Sequence, residues 1–124
     1  AYDAATGERL WQNPIAPSYR NAMGNGPRAT PTIVGDRVFV FTGEGILAAV
    51  DFANGETVWK QDVSRGPPAK PAQYGPACSP LVIGELVVVT VGSPSETMVA
   101  YNIKTGQKVW GTGSDPAGIP RRRY

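Results

Sequence analysis

The stretch AVDFANGETVW, residues 49–59, decides the fold, because it recurs in two other places without a gap. Residues 1–11 read AYDAATGERLW, and residues 100–110 read AYNIKTGQKVW. All three tryptophans of the chain close a copy of this motif, at spacings of 59 − 11 = 48 and 110 − 59 = 51 residues. A second motif, GPRATPTIVGDRV at 26–38, returns as GPACSPLVIGELV at 75–87, an offset of 75 − 26 = 49. Two motifs with nearly the same period indicate a repeat protein.

Each copy of the first motif predicts a tight turn between two strands. An Asp or Asn side chain can accept hydrogen bonds from amides two residues on, and the following glycine supplies positive φ. These residues are Asp3, Asp51 and Asn102, followed by Gly7, Gly55 and Gly106. The turns predict strands on both sides. We expect them at 29–34, 38–42, 46–50 and 56–60 in the middle repeat and at 77–83, 86–91, 98–101 and 107–110 in the next.

Four short antiparallel strands in each repeat predict an all-β fold, the β-propeller, whose blades pack face to face around an axis. A closed propeller uses about 4–8 blades, whereas this chain holds roughly two and a half blades of that kind. We therefore interpret it as a fragment of a propeller. The predicted segments are 1–12 (end of a preceding blade), 13–61 and 62–111 (two blades) and 112–124 (start of a next blade). Unpaired faces and edges should make the isolated chain prone to aggregate.

The three motif copies resemble the repeats of the PQQ-type β-propellers, the quinoprotein alcohol dehydrogenase-like superfamily. The resemblance covers residues 1 to 117, nearly the whole chain. That family contains quinone-dependent dehydrogenases and non-enzymatic outer-membrane assembly proteins of the BamB type. It implies that Trp11, Trp59 and Trp110 pack between adjacent blades as large apolar groups. The alternative is that an indole ring stacks on a substrate or a quinone.

The residues that distinguish the enzymes of this family are missing from the chain. The resemblance implies that a dehydrogenase would hold PQQ beside a Cys–Cys disulfide and a calcium ion bound by Glu, Asn and Asp. This chain has one cysteine, Cys78, and no histidine. We expect Cys78 to be a buried, inert thiol, the alternative being a reactive one. We expect no cofactor in this fragment, and only a full-length parent could hold PQQ and calcium.

Charge and hydropathy exclude two further classes of partner. The net charge of +2 depends on Arg121, Arg122 and Arg123, and without them 9 basic residues face 10 acidic ones. A nearly neutral body has no electrostatic surface for nucleic acid. No stretch of eighteen apolar residues is present, so no membrane span is expected. Acidic residues at predicted turns are expected to be solvated, namely Asp36, Glu44, Asp51, Glu85 and Glu96.

Two long connections, 13–27 and 62–76, are the candidate binding regions. Each joins the last strand of one blade to the first strand of the next, and such crossings lie at the face of a propeller where ligands usually bind. The candidate lining residues are Tyr19, Arg20, Asn21, Arg28, Arg65, Lys70, Gln73 and Tyr74. The alternative is that these residues are solvated loop without a ligand.

The C-terminal tail departs from the repeat. Where a Gly/Ala-x-Ser-Pro strand should begin, residues 118–124 read GIPRRRY. A single-base deletion in codons for Gly-Tyr-Ser-Ser-Pro would produce Gly-Ile-Pro-Arg-Arg, so a frame-shifted tail is one interpretation. A native basic terminus is the other, and neither assigns the tail a function.

The sequence supports two functions for the parent protein. The first is a non-catalytic propeller scaffold, periplasmic or extracellular in a bacterium by resemblance, that presents loops to a protein or polymer. The second is a PQQ-dependent dehydrogenase of alcohols or sugars whose active site lies outside these residues. In both, the chain's immediate partners are the neighbouring blades of the propeller.

Overall fold

The computed structural model of the chain describes residues 1–17, 20–21, 24–25, 29–63, 78–91 and 96–112, with 20–21 and 24–25 described by backbone alone. These residues form strands and turns. The strands are β1 (Arg20–Asn21), β2 (Gly24–Asn25), β3 (Thr32–Val34), β4 (Arg37–Phe41), β5 (Ile46–Asp51), β6 (Thr57–Asp62), β7 (Leu81–Ile83), β8 (Leu86–Thr90), β9 (Met98–Asn102) and β10 (Lys108–Thr112). No described segment is a helix with the length and apolar character needed to cross a membrane.

Two four-stranded antiparallel sheets carry the fold. β3, β4, β5 and β6 pair in chain order to form the middle blade, and β7, β8, β9 and β10 pair in the same order to form the last blade. Ahead of them, residues 1–17 contain one turn of a preceding blade, closed by a bridge between Tyr2 and Arg9. The predicted all-β architecture of a partial propeller is confirmed.

Strand ends differ from the prediction by a few residues. β3 and β7 begin at Thr32 and Leu81, later than expected, because the proline before each strand has no amide to donate to a ladder. β6 and β10 run on to Asp62 and Thr112, past their predicted ends. The small β1–β2 hairpin lies in a connection for which no strand was predicted.

The hydrophobic core lies between the middle and last blades. It is built from alternate residues, since successive side chains of a strand point to opposite faces. The middle blade contributes Phe39, Phe41, Leu47, Ala49 and Trp59, and the last blade contributes Val87, Val89, Val99 and Tyr101. Val38 and Val50, on the other face of the middle sheet, are also buried. Burial on both faces explains why these strands are continuously apolar in sequence.

The first strands of the two blades lie next to each other. β3 approaches β7, the Thr30 amide donates to Ser79 Oγ at 3.1 Å, and the Thr32 hydroxyl donates to the Pro80 carbonyl. The starts of β3 and β7 therefore meet.

Candidate functional site

The three motif turns have the same hydrogen-bond network. In each, one side-chain oxygen accepts two backbone amides: Asp3 from Ala5 and Thr6, Asp51 from Ala53 and Asn54, and Asn102 from Lys104 and Thr105, at 2.8–3.2 Å. The glycine amide then donates to the backbone carbonyl of the same Asp or Asn at 2.8–2.9 Å. Gly7, Gly55 and Gly106 have φ of 72°, 76° and 72°, a region that residues with a Cβ rarely adopt.

Trp59 leaves its own blade and packs on the turn of the last blade. Its indole Nε1 donates to the Ile103 carbonyl at 2.9 Å. Its ring stacks with Tyr101, with centroids 6.5 Å apart and planes at 26°. A Cβ built on Gly106 would lie 2.5 Å from Trp59 Cδ2, so the ring covers that glycine. We call Tyr101, Ile103 and Gly106 the Trp59 socket.

Trp11 makes the equivalent contact one blade earlier. Its Nε1 donates to the Phe52 carbonyl at 2.9 Å, and a Cβ on Gly55 would collide with its ring. Phe52 and Gly55 correspond by repeat position to Ile103 and Gly106. The Trp11 socket, Phe52 and Gly55, is therefore a second copy of the same contact.

The third tryptophan and the first turn do not make this contact among the described residues. Trp110 is 37% exposed, compared with 8% for Trp59. Gly7 is exposed, and no described atom lies within 4 Å of a Cβ built on it, whereas Gly55 and Gly106 are buried under rings. Tyr2, which corresponds to Tyr101, is 69% exposed. We call Tyr2, Ala4 and Gly7 the open socket.

A β-bulge precedes Trp59, which is docked, and another precedes Trp110, which is not. The pairing of β5 with β6 shifts between Ala49–Trp59 and Val50–Thr57, so Val58 is the extra residue. The pairing of β9 with β10 shifts in the same way around Val109. A bulge bends the strand and changes where the next side chain points. The sequence did not predict these bulges, because periodicity alone does not show a one-residue shift of register.

A polar contact that was not predicted lies beside each docked ring. Asn13 Nδ2 donates to the Gly55 carbonyl at 2.7 Å, and Gln61 Nε2 donates to the Gly106 carbonyl at 2.9 Å. Both residues stand two positions after a tryptophan, and Thr112 is the third residue in that position. The recurring hydrogen-bond donor at this position was the signal available in the sequence.

Burial shifts the pKa of the one ionisable side chain in the Trp59 socket. Burial raises the pKa of Tyr101 above its ordinary value of 10.0, and the carboxylates of Glu96 and Asp62 act in the same direction. Tyr101 therefore remains a neutral, stacking phenol at physiological pH.

Acid should weaken the first turn. Backbone hydrogen bonds from Thr6 and then Ala5, with the Thr6 hydroxyl, hold the pKa of Asp3 below its ordinary value of 3.8. Because the pKa of Asp3 is lower in the folded chain than in the unfolded chain, its carboxylate stabilises the fold at pH values above the unfolded pKa. This stabilisation is lost as the pH falls through the folded pKa. Carbon NMR of the Asp3 carboxyl should give a pKa under 3.8. Asp3→Asn should keep the turn without this titration, as Asn102 does, and a midpoint at or above 3.8 would contradict the assignment.

The remaining candidate residues are placed as follows. Cys78 is only partly buried, less than expected, and its Sγ accepts the Thr90 amide at 3.1 Å. Arg20 and Asn21 form β1. Tyr19, Arg28, Arg65, Lys70, Gln73 and Tyr74 lie outside the described residues. Within the part of the chain that the structure describes, no group of three His, Cys, Asp or Glu side chains is placed to hold a metal.

Comparison with known proteins gives relatives of two kinds. The chain is 30% identical over 115 residues to the outer membrane protein assembly factor BamB of Shewanella oneidensis, covering 89% of this chain and 26% of that protein. It is also 30% identical over 117 residues to the quinohemoprotein alcohol dehydrogenase ADH IIB of Pseudomonas putida, covering 89% of this chain and 16% of that protein. The chain thus spans about a quarter or less of the length of these relatives.

A solved structure and a family model agree with these relatives. BamB from Moraxella catarrhalis superposes with a TM-score of 0.59 at 27% identity, over 90% of this chain and 29% of that one. The family model described as outer membrane protein assembly factor BamB matches residues 1–120. With its repeated turns and docked tryptophans, this chain belongs to that family of PQQ-type β-propeller repeat proteins.

Proposed function

We propose that this chain is part of an exported, non-catalytic β-propeller that presents loops to a protein or polymer partner. The proposal rests on the contacts that the polar and aromatic side chains of the repeat make. Asp3, Asp51 and Asn102 bind their own turns, and Trp11 and Trp59 bind the next blade. The repeat thus assembles blades, which leaves ligand binding to the connections between them.

The connections favour one binding region. The starts of β3 and β7 lie side by side, and connections 13–27 and 62–76 precede these two strands in the sequence. Arg20, Arg28 and Arg65 belong to these connections together with Tyr19 and Tyr74. Arginine and tyrosine are enriched where proteins bind other proteins. The proposed site is therefore a basic, aromatic face made by successive interblade connections.

The family suggests the partner and the compartment. A relative whose name is outer membrane protein assembly factor supports a role in the assembly of outer-membrane proteins, and hence a periplasmic location. We propose an unfolded outer-membrane β-barrel chain as the partner. Its extended backbone and alternating side chains offer carbonyl groups to the arginines and aromatic rings to the tyrosines.

Binding to an unfolded β-barrel chain tests the proposal. The probe is a fluorescently labelled outer-membrane β-barrel protein kept unfolded in dilute urea, and fluorescence anisotropy measures its binding to the 124-residue chain. Replacing Arg20, Arg28 and Arg65 by alanine should weaken binding roughly tenfold, because each hydrogen bond to a backbone carbonyl contributes about 0.5–1.5 kcal/mol and about 1.4 kcal/mol is tenfold in affinity.

The chain supplies a matched control for this experiment. Replacing Arg121, Arg122 and Arg123 by alanine removes the same charge from the tail, to which no function is assigned. It should leave the affinity unchanged. Equal losses in the two triple variants would mean that net charge alone attracts the probe, and the proposed binding face would then be wrong.

The second candidate is a PQQ-dependent dehydrogenase whose active site lies in other blades of a full-length parent. It is favoured by the 30% identity over 117 residues to a quinohemoprotein alcohol dehydrogenase. In that case PQQ and calcium would be held by the parent. The gene's complete product, supplied with PQQ, Ca²⁺, an alcohol and a redox dye, distinguishes the two candidates. Alcohol-dependent reduction of the dye would establish the dehydrogenase and overturn the scaffold.

A further inference from the structure

Two side chains hold the start of the first connection, 13–27, to the middle blade. Asn13 Nδ2 donates to Thr57 Oγ1 at 2.8 Å, in addition to its bond to the motif turn. Two residues later in the chain, the Ile15 carbonyl accepts a hydrogen bond from Lys60 Nζ at 3.2 Å. Because Thr57 and Lys60 both belong to β6, the start of the first connection follows this strand.

Two prolines explain why a side chain makes this contact. Pro14 and Pro17 flank Ile15 and Ala16, which are both partly buried. A proline has no amide to donate, so this segment cannot pair along its length with a strand. The ammonium group of Lys60 supplies a donor instead, and a hydrogen bond from a charged donor is stronger than one from a neutral donor.

The first connection is also held where it ends and paired in its middle. Just beyond its end, the Thr30 amide donates to Ser79 Oγ of the last blade at 3.1 Å. Between the two held ends lies the β1–β2 hairpin, in which Arg20 pairs with Asn25. One arginine of the proposed binding face therefore belongs to a hairpin between two fixed points.

The lysine contact is not a feature that every repeat shares. Lys60 directly follows the tryptophan of its motif, and the residue in the same position of the last blade is Gly111. A Cβ built on Gly111 would collide with the carboxylate of Glu96, which also pairs with Lys108 Nζ at 2.5 Å. A lysine could not occupy that position while Glu96 lies there. Lys60 thus serves the first connection in particular, whereas the tryptophan sockets serve the assembly of blades.

We propose that Lys60 is a positioning residue for partner binding, which holds the first connection so that the β1–β2 hairpin meets the partner chain in a fixed place. This inference rests on the proposed function of the connections. Lys60 acts through the Ile15 carbonyl and does not itself contact the partner. A loop that is fixed before binding loses less conformational entropy on association, so the contact raises affinity.

Affinity for an unfolded β-barrel protein tests the consequence for binding. The gene's complete product is titrated against the labelled probe described above, and fluorescence anisotropy gives the dissociation constant. Lys60→Met removes the ammonium group and keeps the straight apolar stem, and it should weaken binding roughly two- to tenfold. Lys60→Arg keeps a cationic donor and should restore the wild-type affinity. Equal affinities of the wild type and Lys60→Met would overturn the proposal.

Lys104→Met is the matched control for the loss of charge. Lys104 is an exposed lysine in the turn between β9 and β10, whereas the connections join the opposite ends of the strands. Its replacement should leave the affinity unchanged, and circular dichroism checks that each variant keeps its sheets. If both methionine variants weakened binding equally, net charge would explain the effect, and the positioning role of Lys60 would be wrong.

Amide order parameters from nitrogen NMR relaxation measure the positioning without any partner. In Lys60→Met the order parameters of Ile15, Ala16, Arg20 and Asn21 should fall, while those of β5 stay unchanged, and Lys60→Arg should keep the wild-type values. Weaker binding with unchanged order parameters would show that Lys60 contacts the partner directly, which overturns the inference. A wild-type product that does not bind the probe would contradict the proposed function instead. A fall in the order parameters would then still support Lys60 as the residue that holds the first connection.

Discussion

Replacing Trp59 by alanine should lower the free energy of unfolding by about 3–5 kcal/mol, the range for large aromatic residues in a core. The ring is 8% exposed, lies between the two sheets and contacts Phe39 at 6.2 Å and Tyr101 at 6.5 Å between centroids. Its loss would also leave the Ile103 carbonyl without the indole donor. Urea unfolding followed by circular dichroism measures the effect.

Val58→Ala provides the comparison for this prediction. Val58 precedes Trp59 in β6 but is 39% exposed at the bulge. Surface substitutions of this kind usually change stability by less than about 0.5 kcal/mol. If Trp59→Ala cost no more than Val58→Ala, the two blades would not be held together by the docked ring, and the proposed structural role of the motif tryptophans would be wrong.

Replacing Gly106 by alanine should have the second-largest effect, a loss of about 2–5 kcal/mol. Two costs add: roughly 1–2 kcal/mol for a left-handed backbone carrying a Cβ and about 1–3 kcal/mol for overpacking. The Cβ would lie 2.5 Å from Trp59 Cδ2, and the ring that would have to move also packs against Phe39 and Tyr101, with centroids 6.2 and 6.5 Å away. The measurement is again the midpoint and slope of urea unfolding.

Two further variants separate the causes of this loss. Gly84→Ala carries the backbone cost alone, since Gly84 has a φ of 57° and open space around it. In the background of Trp59→Ala, the Gly106 substitution should cost little more than Gly84→Ala, because the ring it strikes is gone. Contacting residues show such non-additivity in double-mutant cycles. Full additivity would show that the glycine is needed for its backbone conformation only.

The two expected effects explain why the repeat motif identifies an architecture and not a reaction. The tryptophan of one motif copy meets the glycine of the next copy across two blades. Each therefore constrains a residue one repeat away in sequence. A substitution at either position acts on folding. We propose that binding specificity differs in the connections that precede β3 and β7, since the relatives include both an assembly factor and a dehydrogenase.

Much of the fold follows from local chemistry in the sequence. The turn after Asp51 could be predicted because its hydrogen bonds are between residues two or three positions apart. The period of the tryptophans indicated blades, since each blade is one repeat. The start of β3 was predicted too early, although Pro31 was visible, because β-propensity was extended through a residue that cannot donate to a ladder.

The sequence by itself therefore determined the all-β class, the four-stranded repeat and the three turns built on Asp3, Asp51 and Asn102, because these depend on period and on short-range hydrogen bonds. Only the tertiary structure decided which tryptophans and which turns of the motif form contacts between blades. It docks Trp11 and Trp59 on the next blade, places a bulge before Trp59, and leaves Trp110 and Gly7 exposed. Copies of the motif with the same turn differ in burial because burial depends on which blade lies beside each copy. That neighbour is not encoded within the motif.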